Sequence, residues 1–120
     1  MKHLLLSIIA VVLLVGCGPS VDIWEAARTG NTEAVKQHLA AGTDVNAKEE
    51  DGGTPLLHAV GNGRREIIEL LIAEGADVNA KIYDGRTSLD LTIQNKHPEI
   101  ADLLRKHGGK TGEELKAEGE

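Results

Sequence analysis

The chain opens with one long apolar stretch, Leu4 to Val15, in which Ser7 is the only polar residue, and it never returns to that pattern. From Asp22 onward the apolar residues fall into short groups with helical spacing, separated by glycines. Between Glu66 and Glu74, residues Ile67, Ile68, Leu70, Leu71 and Ile72 form one broad helical face, which Gly75 ends. Upstream, Thr54 suits an N-cap and Pro55 the first helical position, where a missing N–H costs nothing. A short helix is predicted from there to the Gly61-Asn62-Gly63 break. The same two-helix scheme is predicted from Thr87 to Asn95 and from Pro98 to His107, with Gly108-Gly109 closing it.

A period organises this pattern. At an offset of 33, Asp44-Val45-Asn46-Ala47-Lys48 falls on Asp77-Val78-Asn79-Ala80-Lys81, Gly42 on Gly75 and Gly108, Asp51-Gly52 on Asp84-Gly85, and Ala26 on Ala59. Self-similarity at a fixed spacing of this size marks a repeat array, in which each unit has an apolar face that only a neighbour can cover. Thr54-Pro55-Leu56-Leu57-His58-Ala59 resembles the T-P-L-H-x-A motif of the ankyrin family, and Gly75-Ala76-Asp77-Val78-Asn79-Ala80 matches its G-A-D-V-N-A segment letter for letter. The resemblance implies an all-α repeat solenoid of three ankyrin repeats, helix-turn-helix pairs with short β-hairpin loops at Asp51-Gly52 and Asp84-Gly85. The repeat domain would run over residues 22–109, divided at about 22–53, 54–86 and 87–109. Unit one, with Val21-Asp22-Ile23-Trp24 in place of Thr54-Pro55-Leu56-Leu57, reads as an N-terminal cap. Residues 110–120 form a tail or a short capping helix, because Thr111-Gly112-Glu113-Glu114 fits a capping box.

The chain departs from the family at the His after T-P-L, which usually ties a hairpin to the neighbouring unit. That slot holds Trp24, Leu57 and Asp90 in turn, none able to bond at two ring nitrogens. The transposed Leu57-His58 puts His58 where an apolar side chain is usual. It is read either as a ligand-contacting or proton-handling residue or as a partly buried histidine satisfied by backbone.

The opening stretch is a separate matter. Twelve residues span only about 18 Å as a helix, short of the roughly 30 Å hydrocarbon core. With Met1-Lys2-His3 before it and a Gly-Cys-Gly-Pro break after it, residues 1–16 read as a secretory signal peptide. Leu14-Val15-Gly16-Cys17 resembles the bacterial lipoprotein signal, which implies cleavage before Cys17, a diacylglycerol on its thiol and an acylated new N-terminus. An ordinary secreted protein with an unmodified Cys17, or a buried N-terminal helix, are the alternatives. Residues 17–21 would be a tether of at most about 14 Å. Gly18 stands where the usual inner-membrane retention signal is Asp, so the expected location is the cell envelope, on the outer membrane facing the periplasm if the host is diderm.

Composition narrows the chemistry. Thirteen Lys plus Arg against nineteen Asp plus Glu give a net charge of −6, and no basic stripe is present, which argues against nucleic acid as a partner. Cys17 is the one cysteine, so no internal disulfide forms. His38, His97 and His107 stand singly and no zinc spacing exists. Gly109-Lys110-Thr111 lacks the upstream glycine and strand of a phosphate loop. Glu49-Glu50-Asp51 lacks the twelve-residue ligand pattern of a calcium loop. Ser88, Asp90 and His97 make a hydrolytic triad only on paper, with no strained turn or oxyanion loop around Ser88.

The expectation is therefore no enzyme, no catalytic residue, no metal, no cofactor and no small-molecule substrate. The resemblance implies instead a surface that binds an unknown protein partner. Its matching positions are Glu49, Glu50, Asp51, Ile82, Tyr83 and Arg86 at the hairpin tips, and Arg28, Thr29, Asn62, Gln94 and Asn95 at the helix ends. Tyr83 is one of only two aromatics, which makes it either a contact anchor or a residue packed on its own or a neighbouring hairpin. Scaffolding is the leading role; inhibition or protection of an envelope enzyme is the alternative.

Overall fold

A computed structural model describes residues 21–119. The expected signal peptide and Cys17 lie outside the described residues. Among the described residues seven helices follow one another: α1 Ile23–Thr29, α2 Thr32–Ala40, α3 Pro55–Gly61, α4 Arg65–Ala73, α5 Ser88–Gln94, α6 Pro98–Lys106 and α7 Gly112–Ala117. The first six form three antiparallel pairs. Helices α1, α3 and α5 stack as an inner row, and α2 and α4 pack outside it. None of the described helices is long and apolar enough to cross a membrane.

The first helix of each pair starts on a side-chain cap. Asp22, Thr54 and Thr87 accept the backbone N–H of Glu25, Leu57 and Asp90, satisfying a donor that would otherwise be orphaned. Packing then follows the period in columns. Ile23, Leu56 and Leu89 are buried at the same place in successive inner helices, as are Ala26, Ala59 and Thr92. Small residues in that second column let the inner helices approach closely. Ala34, Ile67 and Ile100 form the corresponding outer column.

Polar bonds repeat with the same period. Asn46 accepts the N–H of Asp77 at 2.8 Å and donates to the carbonyl of Gly75 at 3.4 Å. One unit later, Asn79 accepts from Lys110 at 2.8 Å and donates to Gly108 at 3.1 Å. Each asparagine thus staples its unit to the next segment through two backbone groups. A further link runs between helix ends, where Asn95 donates to the Gly61 carbonyl and Arg64 to that of Arg28.

The expected hairpins are tight turns. Glu49 donates to the Gly53 carbonyl and Ile82 to that of Arg86, but the ladder stops there. Among the described residues the β-structure amounts to one isolated bridge, Lys81 with Thr87. The physical reason is length: the segment on either side of each Asp-Gly turn is needed at once for the asparagine staple and the following helix cap. We call these projections finger 1, residues 48–53, and finger 2, residues 81–86.

At the C-terminal end α7 carries the expected capping box, with Thr111 and Glu114 bonding each other's backbone. The Thr111 N–H and the Arg105 guanidinium hold the Glu114 carboxyl below its usual value. This exposed cap contributes above the ordinary carboxylate range and loosens as acid carries the pH down through that lowered value. Lys110 also pairs with Glu118. Gly112 donates to Asp90, so α7 is docked against the last unit.

Asn79→Ala removes both staple bonds to the final segment and is expected to lower stability by about 1–3 kcal/mol in urea unfolding; a loss below about 0.5 kcal/mol would contradict the staple. A second prediction concerns the turn between paired helices, where Gly30, Gly63 and Lys96 all have positive φ. An added Cβ would press on Arg64 at Gly30 and on His97 at Gly63, whereas Lys96 stands in the last pair. Lys96→Gly therefore relieves left-handed strain at no packing cost. It is expected to raise stability by roughly 0.5–1 kcal/mol, a few degrees in Tm.

Candidate binding surface

The two fingers lie side by side over the inner helices. The Tyr83 N–H donates to the Asp51 carbonyl at 3.4 Å, joining one tip to the other. Gly52 has φ +86° and lies directly beneath the tyrosine: a Cβ there would stand 3.3 Å from two ring carbons. The tyrosine ring thus rests one edge on the neighbouring finger and remains 80% exposed. The packing reading of Tyr83 therefore holds along one edge of the ring, and the glycine seat leaves the rest of it uncovered.

Each finger is also fastened to its own inner helix. Arg86 Nη1 donates to Gln94 Oε1 at 2.7 Å, while its Nε pairs with Asp84 at 2.8 Å. On finger 1, His58 Nε2 and Glu49 Oε2 are 2.7 Å apart, with both side chains about a quarter to a third exposed. The partner of His58 is therefore a carboxylate from the finger rather than backbone. Glu50 and Asp51 are exposed, and Asp51 Oδ1 accepts the Gly53 N–H at 2.9 Å, which shapes the turn. Ile82 is half-buried and contributes through its backbone turn.

The helix-end residues recur with the period at the C-terminal ends of the inner helices. Arg28 is exposed and bonded to Glu25, which pushes its already high pKa further up. Thr29 donates to the Glu25 carbonyl, Asn62 to that of His58 and Asn95 to that of Gly61. Thr29 and Asn62 thus finish their own helices, and Asn95 joins two units. Of the helix-end residues Gln94 reaches a finger, through Arg86, and the hydrogen-bonding groups of Thr29, Asn62 and Asn95 are committed to structure.

The slot that lacks an imidazole still bonds beyond its own helix pair in two of three cases. Trp24 Nε1 donates to the Ala47 carbonyl at 2.8 Å, and Asp90 Oδ2 accepts from Thr87 and from Gly112. An indole N–H or a carboxylate thus replaces one side of an imidazole. Leu57 is buried and makes the contact apolar.

Sequence reasoning missed two features of this surface. Trp24 is half-buried, yet together with Lys48, Glu49, Glu50 and Asp51 it lines a shallow open depression beside finger 1. Ile93 is 57% exposed, although Val60, one period earlier, is fully buried. The signal for Ile93 was available: it occupies a core column in the last inner helix, which no further inner helix covers.

The paper triad is not assembled. Ser88 is buried with an unpartnered Oγ, Asp90 is committed to the α7 junction, and the His97 ring lies over Gly63. Among the described residues no group of three or more His, Cys, Asp or Glu could hold a metal ion.

A search of curated proteins found no match to this chain. The family model described as ankyrin repeats (3 copies) matches residues 23–114. That span takes in all three helix pairs, both fingers and the start of α7. Arrays of this kind are generally non-catalytic interaction modules and imply a protein partner. With its stacked pairs, stapled junctions and matching span, the chain belongs to the ankyrin-repeat family.

Proposed function

We propose that this protein is a lipid-anchored, non-catalytic binding module of the bacterial cell envelope, gripping one protein partner with its fingers. The observation that carries the binding role is Tyr83, an aromatic ring left 80% exposed on a seat made by Gly52, beside the open acidic tip Glu50 and Asp51. Large rigid aromatics contribute much contact area at small entropic cost and are enriched among interface hot spots. The bonds from Arg86 to Gln94 and from His58 to Glu49 support the reading, because a surface already fixed before binding loses less entropy when a partner arrives.

The anchor rests on the sequence. Leu14-Val15-Gly16-Cys17 supports lipidation at Cys17, and several acyl chains at about 0.8 kcal/mol per buried CH₂ make such attachment stable. Gly18 favours the outer membrane facing the periplasm in a diderm host. A tether of residues 17–21 would hold the first repeat close to the bilayer.

Tyr83→Ala combined with Arg86→Ala is expected to abolish capture of the partner from native envelope while the thermal transition moves by no more than a few degrees; undiminished capture would refute the finger surface. An activity assay of a captured enzyme distinguishes a scaffold, which leaves the rate alone, from an inhibitor. For the anchor, mass spectrometry of the mature protein is expected to give an acylated Cys17 at the N-terminus, and Cys17→Ser to release the protein from the membrane fraction. A different mature N-terminus rules out the lipoprotein assignment.

A further inference from the structure

Finger 1 and finger 2 are fastened by different chemistry, and only one fastening can change charge near neutral pH. Arg86 on finger 2 is permanently charged, and Gln94 never is. On finger 1 the bond runs from an imidazole to a carboxylate, His58 to Glu49, at 2.7 Å and partly shielded from water. We propose that this contact is a proton-sensitive latch that sets how firmly finger 1 is held over α3 and how much negative charge the depression beside Trp24 carries.

A neutral imidazole donates one charge-assisted hydrogen bond to the carboxylate, and an imidazolium adds the direct attraction of opposite charges to that bond. The change reaches the finger because Glu49 is part of its turn: the Glu49 N–H donates to Gly53, and its carbonyl accepts from Gly52. Gly52 in turn seats Tyr83.

The charged groups seen against the His58 ring are carboxylates of finger 1. Finger 1 brings Glu49 and Asp51, whose Oδ1 and the His58 ring both close on the position a Gly53 Cβ would take. Helix α1 places Glu25 at the matching position, already paired with Arg28, and α5 places the uncharged Leu91 there. Helix α4 meets the core through Ile67, Ile68 and Leu71, with its Arg65 and Glu69 paired on the exposed side. Finger 2 contributes the Asp84–Arg86 pair.

A proton on His58 therefore tightens finger 1 and offsets the Glu49 charge, while its loss loosens the finger and leaves the depression more negative. The consequence for partner binding rests on the role proposed above, but the latch itself does not, and its test needs no partner.

Trp24 is the only tryptophan, and its indole bonds the Ala47 carbonyl, two residues before Glu49, so its emission reports on finger 1. In the full chain in detergent, titrated from about pH 8 to about pH 5, where histidine changes charge, we expect one step in Trp24 emission. Across that step, amide exchange at Glu49 and Gly52, corrected for its intrinsic pH dependence, should slow roughly two- to fivefold. Both responses should vanish in His58→Gln and in Glu49→Gln, each of which keeps a hydrogen-bonding side chain. If one variant fails to fold by circular dichroism, the other decides. A step that persists in the folded variants, or finger amides indifferent to pH in the wild type, overturns the latch. An intact step with no effect of the Tyr83 and Arg86 variants on capture would defeat the binding surface and leave the latch standing; a missing step with capture lost in those variants would do the reverse.

Discussion

Everything in this molecule depends on one helix pair burying its apolar face against the next. A single pair of seven- and nine-residue helices is too short to persist alone in water. Stacking hides Ile23, Leu56 and Leu89 in one column and Ala34, Ile67 and Ile100 in another. Apolar stacking has little direction of its own, so the asparagine staples supply register. Asn46 and Asn79 each occupy an N–H and a carbonyl across a junction, and a slip of one residue would leave those backbone groups unpaired. Burial supplies the cohesion and the staples choose the arrangement.

Rigid junctions allow the projections to carry a surface. A finger of six residues has no core, and its shape is fixed by its own turn, its neighbour and the helix below. Finger 2 leans on finger 1 through Tyr83 and on α5 through Arg86, and finger 1 leans on α3 through Glu49. The acidic residues at the tips differ accordingly. Glu49 is partly consumed by His58, whereas Glu50 stays open to solvent.

Departures from the family pattern follow the same economy. Trp24 and Asp90 occupy the histidine slot yet each still makes a bond beyond its own helix pair. The displaced His58 sits one residue later on α3 and meets finger 1 from the helix side, through Glu49. Ser88, where the middle unit has Pro55, keeps a buried hydroxyl without a partner.

The number of units, the helix pairs, the caps at Thr54, Thr87 and Thr111, and the core columns are legible in the sequence, because a fixed period copies local chemistry and burial from one unit to the next. Candidate fingertip residues are legible for the same reason. What the period cannot convey is anything that depends on a neighbour being different or absent. Ile93 is exposed because the inner row ends with it; Tyr83 is both seated and bare because its neighbour is Gly52; His58 finds Glu49 because the turn folds back over α3. The expected hairpins shorten to turns because the same few residues must also serve staple and cap. Sequence determines what each unit is, through local propensity and burial pattern, while contacts between residues distant in the chain or across unlike units arise only when the tertiary structure brings them within hydrogen-bonding reach.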